Sequence, residues 1–184
     1  TISSSPTMIY FGQEVGEAGN ENGGFGSHSR TSIFDYVGVP NHQRWMNGGQ
    51  FDGGQLTQSE KELRDFYSRL LNFSIKSSAL MGKYREIQTI NRQITKGYDA
   101  GIYSFVRFTT NEKLIVIVNF SWKKESQFNM TIPQDVIETW KLKDGSYSLK
   151  DQLYGSENKL EVKDGVGLIK MSIKPSESFI FKLY

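Results

Sequence analysis

The sequence predicts a mainly β protein: an antiparallel β-sandwich over residues 81–184, preceded within residues 1–80 by a strand, a long loop and a helix. Three observations carry this reading. Short runs rich in β-branched and aromatic residues recur from about residue 83 onward, with turn residues between them. The segment Thr57 to Leu71 has helical spacing behind a helix-start signal. The apolar run Met8 to Phe11 does not alternate, which fits a strand covered on both faces.

Taken in order, Met8-Ile9-Tyr10-Phe11 places four large apolar groups together, and Gly12 stops the run. Residues 16–29 are polar and glycine-rich, too poor in apolar groups to build a regular element. Thr57-Gln58-Ser59-Glu60 is a capping box, in which Thr57 caps the helix start and Glu60 reaches back to it. Leu63, Phe66, Tyr67, Leu70 and Leu71 then share one helical face, and the helix is expected to fade near residues 72–74. Strands are expected over 102–108, 113–120, 127–132, 136–141, 159–162, 168–173 and 178–183. Asn111-Glu112, Lys143-Asp144-Gly145 and Lys163-Asp164-Gly165 read as hairpin turns. Leu114–Val118 is apolar throughout and belongs at the centre of the sheet.

Composition narrows the function classes. Twenty-two basic residues stand against 20 acidic ones, and the lysines are scattered, so nucleic acid is not an expected partner. The absence of cysteine removes disulfides, thiolate metal sites and a cysteine nucleophile. No apolar run reaches membrane-spanning length, so no membrane insertion is expected. The start, Thr1-Ile2-Ser3-Ser4-Ser5-Pro6, has neither a basic start nor an apolar signal core and lacks an initiator methionine. A trimmed chain, or a segment of something longer, is therefore expected, with the compartment left open.

Several motifs, in order, carry a resemblance. Ile9-Tyr10-Phe11-Gly12-Gln13-Glu14-Val15-Gly16 resembles the eighth barrel strand of the α-amylase family, glycoside hydrolase family 13. The pattern there is roughly Gly-x-Pro, two apolar residues, Tyr, an aromatic, Gly, any residue, Glu. Arg30-Thr31-Ser32-Ile33-Phe34-Asp35-Tyr36 is similar to the arginine-containing segment after that strand. Asp65 to Leu71 is similar to the end of the last barrel helix. Ser78-Ala79-Leu80-Met81-Gly82-Lys83-Tyr84 is similar to the family's Ala-Leu-x-x-Gly-x-Tyr junction, with one residue fewer between Leu80 and Gly82, and Leu114–Val118 followed by Asn119-Phe120-Ser121 resembles the hallmark strand of its C-terminal sandwich. Ser3-Ser4-Ser5 departs from the glycine usual before the proline, and the glycine-rich loop is long, which bears on subfamily.

The resemblance implies that residues 1–80 are the carboxy-terminal remnant of a (β/α)8 TIM barrel and that residues 81–184 are the C-terminal sandwich, which stabilises the barrel. It implies an α-glucan or maltooligosaccharide as partner through the parent enzyme; from the residues themselves, no cofactor and no metal site is expected. Barrel enzymes assemble their sites from the ends of several strands, and retaining glycoside hydrolysis needs two carboxyl groups about 5–5.5 Å apart. In the family these groups follow strands four, five and seven, all of which precede Thr1. No hydrolysis by the chain itself is expected. A barrel strand without neighbours exposes an unpaired edge and is expected to fray, re-pair or drive non-native self-association.

The candidate substrate-binding residues are Glu14, Arg30, Phe34, Asp35, Tyr36, Trp45 and Trp122. Glu14 faces a sugar subsite or is a structural group paired with Arg30. Phe34, Asp35, Tyr36 and Trp45 line distant subsites or anchor the loop. Trp122, just after the central strand, and Trp140 read as surface residues that offer a glycan platform or pack in the core or at an edge. His28 and His42 have no partner at a recognisable spacing and read as solvated. The acidic stretch Glu14, Glu17, Glu21 does not fit a calcium loop, and Gly23-Gly24-Phe25-Gly26 is no phosphate cradle. The sequons at Asn72, Asn119 and Asn129 read as chance. The rival is a free-standing carbohydrate-binding β-sandwich.

Overall fold

The computed structural model describes residues 7–18 and 39–184. The chain divides into two compact units, one ending at Asn72 and the other running Phe73–Tyr184.

In the first unit the apolar run Met8–Phe11, read as a strand, forms none: residues 7–10 are irregular and Met8 is exposed. A lone strand has no ladder to satisfy its backbone. The chain instead turns at once, with the Tyr10 N–H donating to the Gln13 side chain at 3.1 Å and the Gln13 N–H to the Tyr10 carbonyl at 3.0 Å. Helix α1 is Pro40–Met46, with proline at its start where no donor is needed. Helix α2 is Gln58–Lys76 and does not fade at residues 72–74. Both arms of its capping box are made: the Thr57 N–H donates to the Glu60 carboxylate at 2.9 Å, and the Glu60 N–H to the Thr57 hydroxyl at 3.4 Å. Leu63, Phe66, Tyr67, Leu70 and Leu71 are all half-buried, so the predicted face is the inner one.

The second unit is one antiparallel sheet. Its strands are β1 Lys83–Glu86, β2 Ile102–Phe108, β3 Lys113–Asn119, β4 Ser126–Ile132, β5 Gly145–Asp151, β6 Glu157–Lys163, β7 Val166–Ile173 and β8 Ser178–Leu183, in the spatial order β1-β2-β3-β8-β5-β6-β7-β4. Leu114–Val118 is central, between β2 and β8, as its continuous apolar run requires. The β8–β5 pairing spans only three positions. There the sheet folds over, so that Val106, Ile115, Ile117 and Phe181 share one core with Phe128, Met130, Leu160, Ile169 and Met171. The fold is thus mainly β and sandwich-like.

Two helices complete the unit, α3 Gln88–Ile94 and α4 Gln134–Trp140. The second corrects the strand expected over 136–141. Val136, Ile137 and Trp140 are buried together, which is the i, i+1, i+4 spacing of a helix, and Pro133 with Asp135 marks its start. Lys143-Asp144-Gly145 accordingly leads from α4 into β5 and is not a hairpin turn. Asp164-Gly165 is one: both residues have positive φ, 52° and 75°, as a two-residue turn of right-twisted strands demands. None of the helices described is long and apolar enough to cross a membrane.

Candidate functional site

The described part of the first unit is knitted by polar side chains around the turn at residues 12–17. Asn41 donates to the Val15 and Gly16 carbonyls, each at 3.0 Å. Glu17 accepts the His42 N–H at 3.0 Å and so satisfies one of the free donors at the start of α1. Arg44 holds Glu60 through two nitrogens, a forked pair in addition to the capping box. Glu60 therefore carries a pKa lowered to about 2, first through the Arg44 hydrogen bond, against the upward pull of burial, and further through Thr57.

Of the predicted residues here, Glu14 sits half-buried in a short 3₁₀ turn, Gln13–Val15. Trp45 is a packing group: its ring lies 5.4 Å from His42 and 5.8 Å from Phe51, and the Arg64 guanidinium covers it at 5.0 Å. His42 is half-buried and not a solvated loop residue, its ring lying 4.6 Å from Phe11 at a tilt of 41°. Arg30, Phe34, Asp35, Tyr36 and His28 lie outside the described residues, and so does the pairing of Glu14 with Arg30.

The second unit contains a polar clasp that sequence reasoning missed. Glu112, on the turn before β3, is buried and accepts from the Ser77 hydroxyl at 2.9 Å, the Ser78 hydroxyl at 3.1 Å and the Ala79 N–H at 2.9 Å, and it pairs with Lys182 at 3.1 Å. Burial pulls its pKa upward, but the Ala79 amide, Ser77, Lys182 and Ser78 outweigh that pull, and the net shift is downward. Arg107, also buried, donates to the Leu80 carbonyl. Gly82 must be glycine, because a Cβ there would lie 2.1 Å from the Phe108 carbonyl oxygen. The Tyr84 and Tyr103 hydroxyls meet at 2.6 Å. The only hint in the sequence was a charged pair, Arg107 and Glu112, flanking apolar strands.

Trp122 stands 88% exposed in the connection between β3 and β4, next to exposed Phe120. That connection is braced by Asn119, whose amide nitrogen donates to the Lys124 and Lys174 carbonyls at 2.8 and 2.9 Å and whose oxygen accepts the Ser121 N–H at 3.0 Å. Asn119 is buried, which removes that sequon as an acceptor. The exposed Trp122 ring is not packed at an edge.

Among the described residues, the carboxyl groups of Asp52, Glu60, Asp99 and Glu112 are shifted downward by donors around them. Among the described residues, no group of three His, Asp or Glu side chains is placed to hold a metal ion.

No protein-family model matches the sequence, and neither does any curated protein. Among solved structures, the chain is similar to a noncanonic maltogenic α-amylase, AmyB, from Thermotoga neapolitana, with 14% identity, a TM-score of 0.49, and coverage of 70% of this chain and 27% of that one. An Anoxybacillus α-amylase is similar at 20% identity and a TM-score of 0.46, over 73% of this chain and 25% of that one. AmyP, solved in complex with maltose, is similar at 20% identity and a TM-score of 0.46, over 69% and 21%. The chain resembles α-amylase structures over about 70% of its own length, and it spans about a quarter of theirs.

Proposed function

We propose that the chain is the carboxy-terminal part of an α-amylase-family glycoside hydrolase acting on α-glucans, that it holds none of the catalytic carboxylates, and that its β unit serves to shield and stabilise a barrel. The observation that carries this reading is the fit between the junction motif and its duties in the fold. The chain reads Ala-Leu-x-Gly-x-Tyr, one residue shorter than the family pattern between Leu80 and Gly82, with Ala79, Leu80, Gly82 and Tyr84 as its motif residues. Ala79 and Leu80 are buried and tied to Glu112 and Arg107, Gly82 has no room for a Cβ, and Tyr84 is hydrogen-bonded to Tyr103. The unspecified Met81 and Lys83 are exposed.

Two measurements test the reading. The gene upstream of Thr1 is expected to encode a barrel with Asp, Glu and Asp near the ends of its strands; a start codon there, with no barrel, removes the proposal. The chain is also expected to release no reducing ends from starch or maltooligosaccharide, so turnover that survives removal of contaminating amylase defeats its non-catalytic part. The second reading, a carbohydrate-binding module, is favoured by the exposed ring of Trp122 on a braced turn. It requires that maltoheptaose bind and that Trp122→Ala abolish the binding.

A further inference from the structure

One end of the β unit gathers positive charge around an apolar recess. The strand register sets Lys83 on β1 opposite Phe108 on β2, and Phe108 opposite Lys113 on β3. Directly opposed residues point to the same face of a sheet, so one aromatic side chain stands between two lysines. Two strand spacings, about 9–10 Å, separate the lysine backbones. Helix α4 ends beside them: the Trp140 ring meets Phe108 edge to face at 6.0 Å, and Lys141 follows. Met81, 91% exposed, adds an apolar side chain. Together these residues line a pocket of about 750 Å³.

The charge of this pocket has one sign. Lys83, Lys113 and Lys141 are the charged residues of its lining, and none of the three forms an ion pair among the described residues. Acids close by in the chain are engaged elsewhere. Glu86 accepts the Thr89 N–H, Glu112 holds Ser77, Ala79 and Lys182, Asp135 pairs with Arg85, and Glu138 accepts from Gln134. The wall is short of acceptors as well as anions, since the Trp140 indole N–H is buried with no acceptor among the described residues.

These features restrict the ligand. Three ammonium groups repel a metal cation, and a neutral molecule gains no Coulomb energy from them. A planar carboxylate is matched best by a forked guanidinium, and no arginine lines the pocket. Lysine acts as a point charge, which suits the several oxygens of a phosphate. Exposed Met81 and half-buried Phe108 supply apolar contact for the rest of the molecule. The volume is within the usual range for small-molecule sites.

We propose that this pocket binds a small, soluble phosphate monoester with an apolar body, its phosphate among the three lysines and its body against Met81 and Phe108. The inference goes beyond the hydrolase reading and does not depend on it. The test is calorimetric titration of the whole chain with naphthyl phosphate, inorganic phosphate, naphthol, and phosphatidylcholine vesicles containing phosphatidic acid. Naphthyl phosphate is expected to bind at least roughly tenfold more tightly than inorganic phosphate or naphthol, with NMR shifts at Met81, Thr110 and Lys141. Lys83→Gln and Lys141→Gln are each expected to weaken it roughly fivefold, and Met81→Ser also weakens it. All three residues are exposed, so thermal melts stay unchanged. Lys123→Gln, an exposed lysine on the β3–β4 connection, is the control and leaves binding as it was. Absence of binding by naphthyl phosphate at millimolar concentration overturns the proposal. So does equal affinity for inorganic phosphate or naphthol, lysine variants that bind like the parent, or binding to the vesicles in place of the soluble ester. The hydrolase reading stands or falls separately, on the upstream gene.

Discussion

Replacing Glu112 by alanine is expected to be among the most damaging single changes in the β unit. The carboxylate is 8% exposed and is shared by one backbone amide, two hydroxyls and the Lys182 ammonium. Its loss strands a buried donor at Ala79 and leaves Lys182 without its partner. A hydrogen bond to a charged group is worth about 1.5–3 kcal/mol. Four such bonds at one carboxylate do not add, and the cost of breaking a buried pair, about 3–5 kcal/mol, is the better guide. With a urea slope of about 1.2 kcal/mol/M for a unit of this size, the unfolding midpoint falls by about 2.5–4 M. The transition can be followed by the fluorescence of buried Trp140, with Trp45 and Trp122 replaced by phenylalanine. Exposed Glu157→Ala is the control and shifts stability by no more than about 0.5 kcal/mol. The pH dependence has a fixed sign. Because the folded pKa of Glu112 is lowered, its contribution is complete above the ordinary carboxyl range and is lost as pH falls through the lowered value. The stability gap between the parent and Glu112→Gln therefore closes in acid. A Glu112→Ala variant within about 0.5 kcal/mol of the parent would refute the clasp.

Gly82→Ala drives a methyl group into the Phe108 carbonyl, 2.1 Å away on rigid backbone, and is expected to cost about 3 kcal/mol in the same urea experiment; an unchanged midpoint would show that the junction has room to move. Glu60 is expected to titrate at about 2 by carboxyl NMR and to return toward its ordinary 4.5 in Arg44→Met. Its stabilisation of the start of α2 is full above 4.5 and disappears as pH falls through about 2. An ordinary value in the parent chain would mean that the forked Arg44 pair does not form.

The elements legible in the sequence were those whose inward positions are apolar. Strands β2, β3, β4, β6, β7 and β8 each carry such a run, and α2 announces itself through its capping box. Strand β5 escaped because the third of its inward positions, after Tyr147 and Leu149, is Asp151. Asp151 is 1% exposed and accepts the N–H groups of Leu153, Tyr154 and Ile180 at 3.3, 2.8 and 3.0 Å, so a charged residue occupies a core position on hydrogen-bonding grounds. In α4 the β-branched residues Val136, Ile137 and Thr139 suggested a strand, and spacing outweighed propensity. Of the two tryptophans of the β unit, both expected at its surface, Trp122 is exposed and Trp140 is buried in the core, and the contacts of Trp45 with Arg64 and Phe51 were not legible in the sequence.

Asn91 shows why the remainder was hidden. Strand β4 ends the sheet, and its outer edge would leave the Thr131 N–H and C=O exposed to any passing strand. Asn91, wholly buried on α3, accepts that N–H and donates to that C=O, both at 2.8 Å. Its carboxamide does for the edge of β4 what Asn158 does between β6 and β7: each supplies one donor and one acceptor where a neighbouring strand is missing. In sequence both are ordinary polar residues in unpromising segments, because the partner that gives each its role lies 40 residues away for Asn91 and 12 for Asn158. The pattern that specifies the sheet is apolar and local. The groups that end it and open it are polar and distant, so they are read from the structure and not from local periodicity.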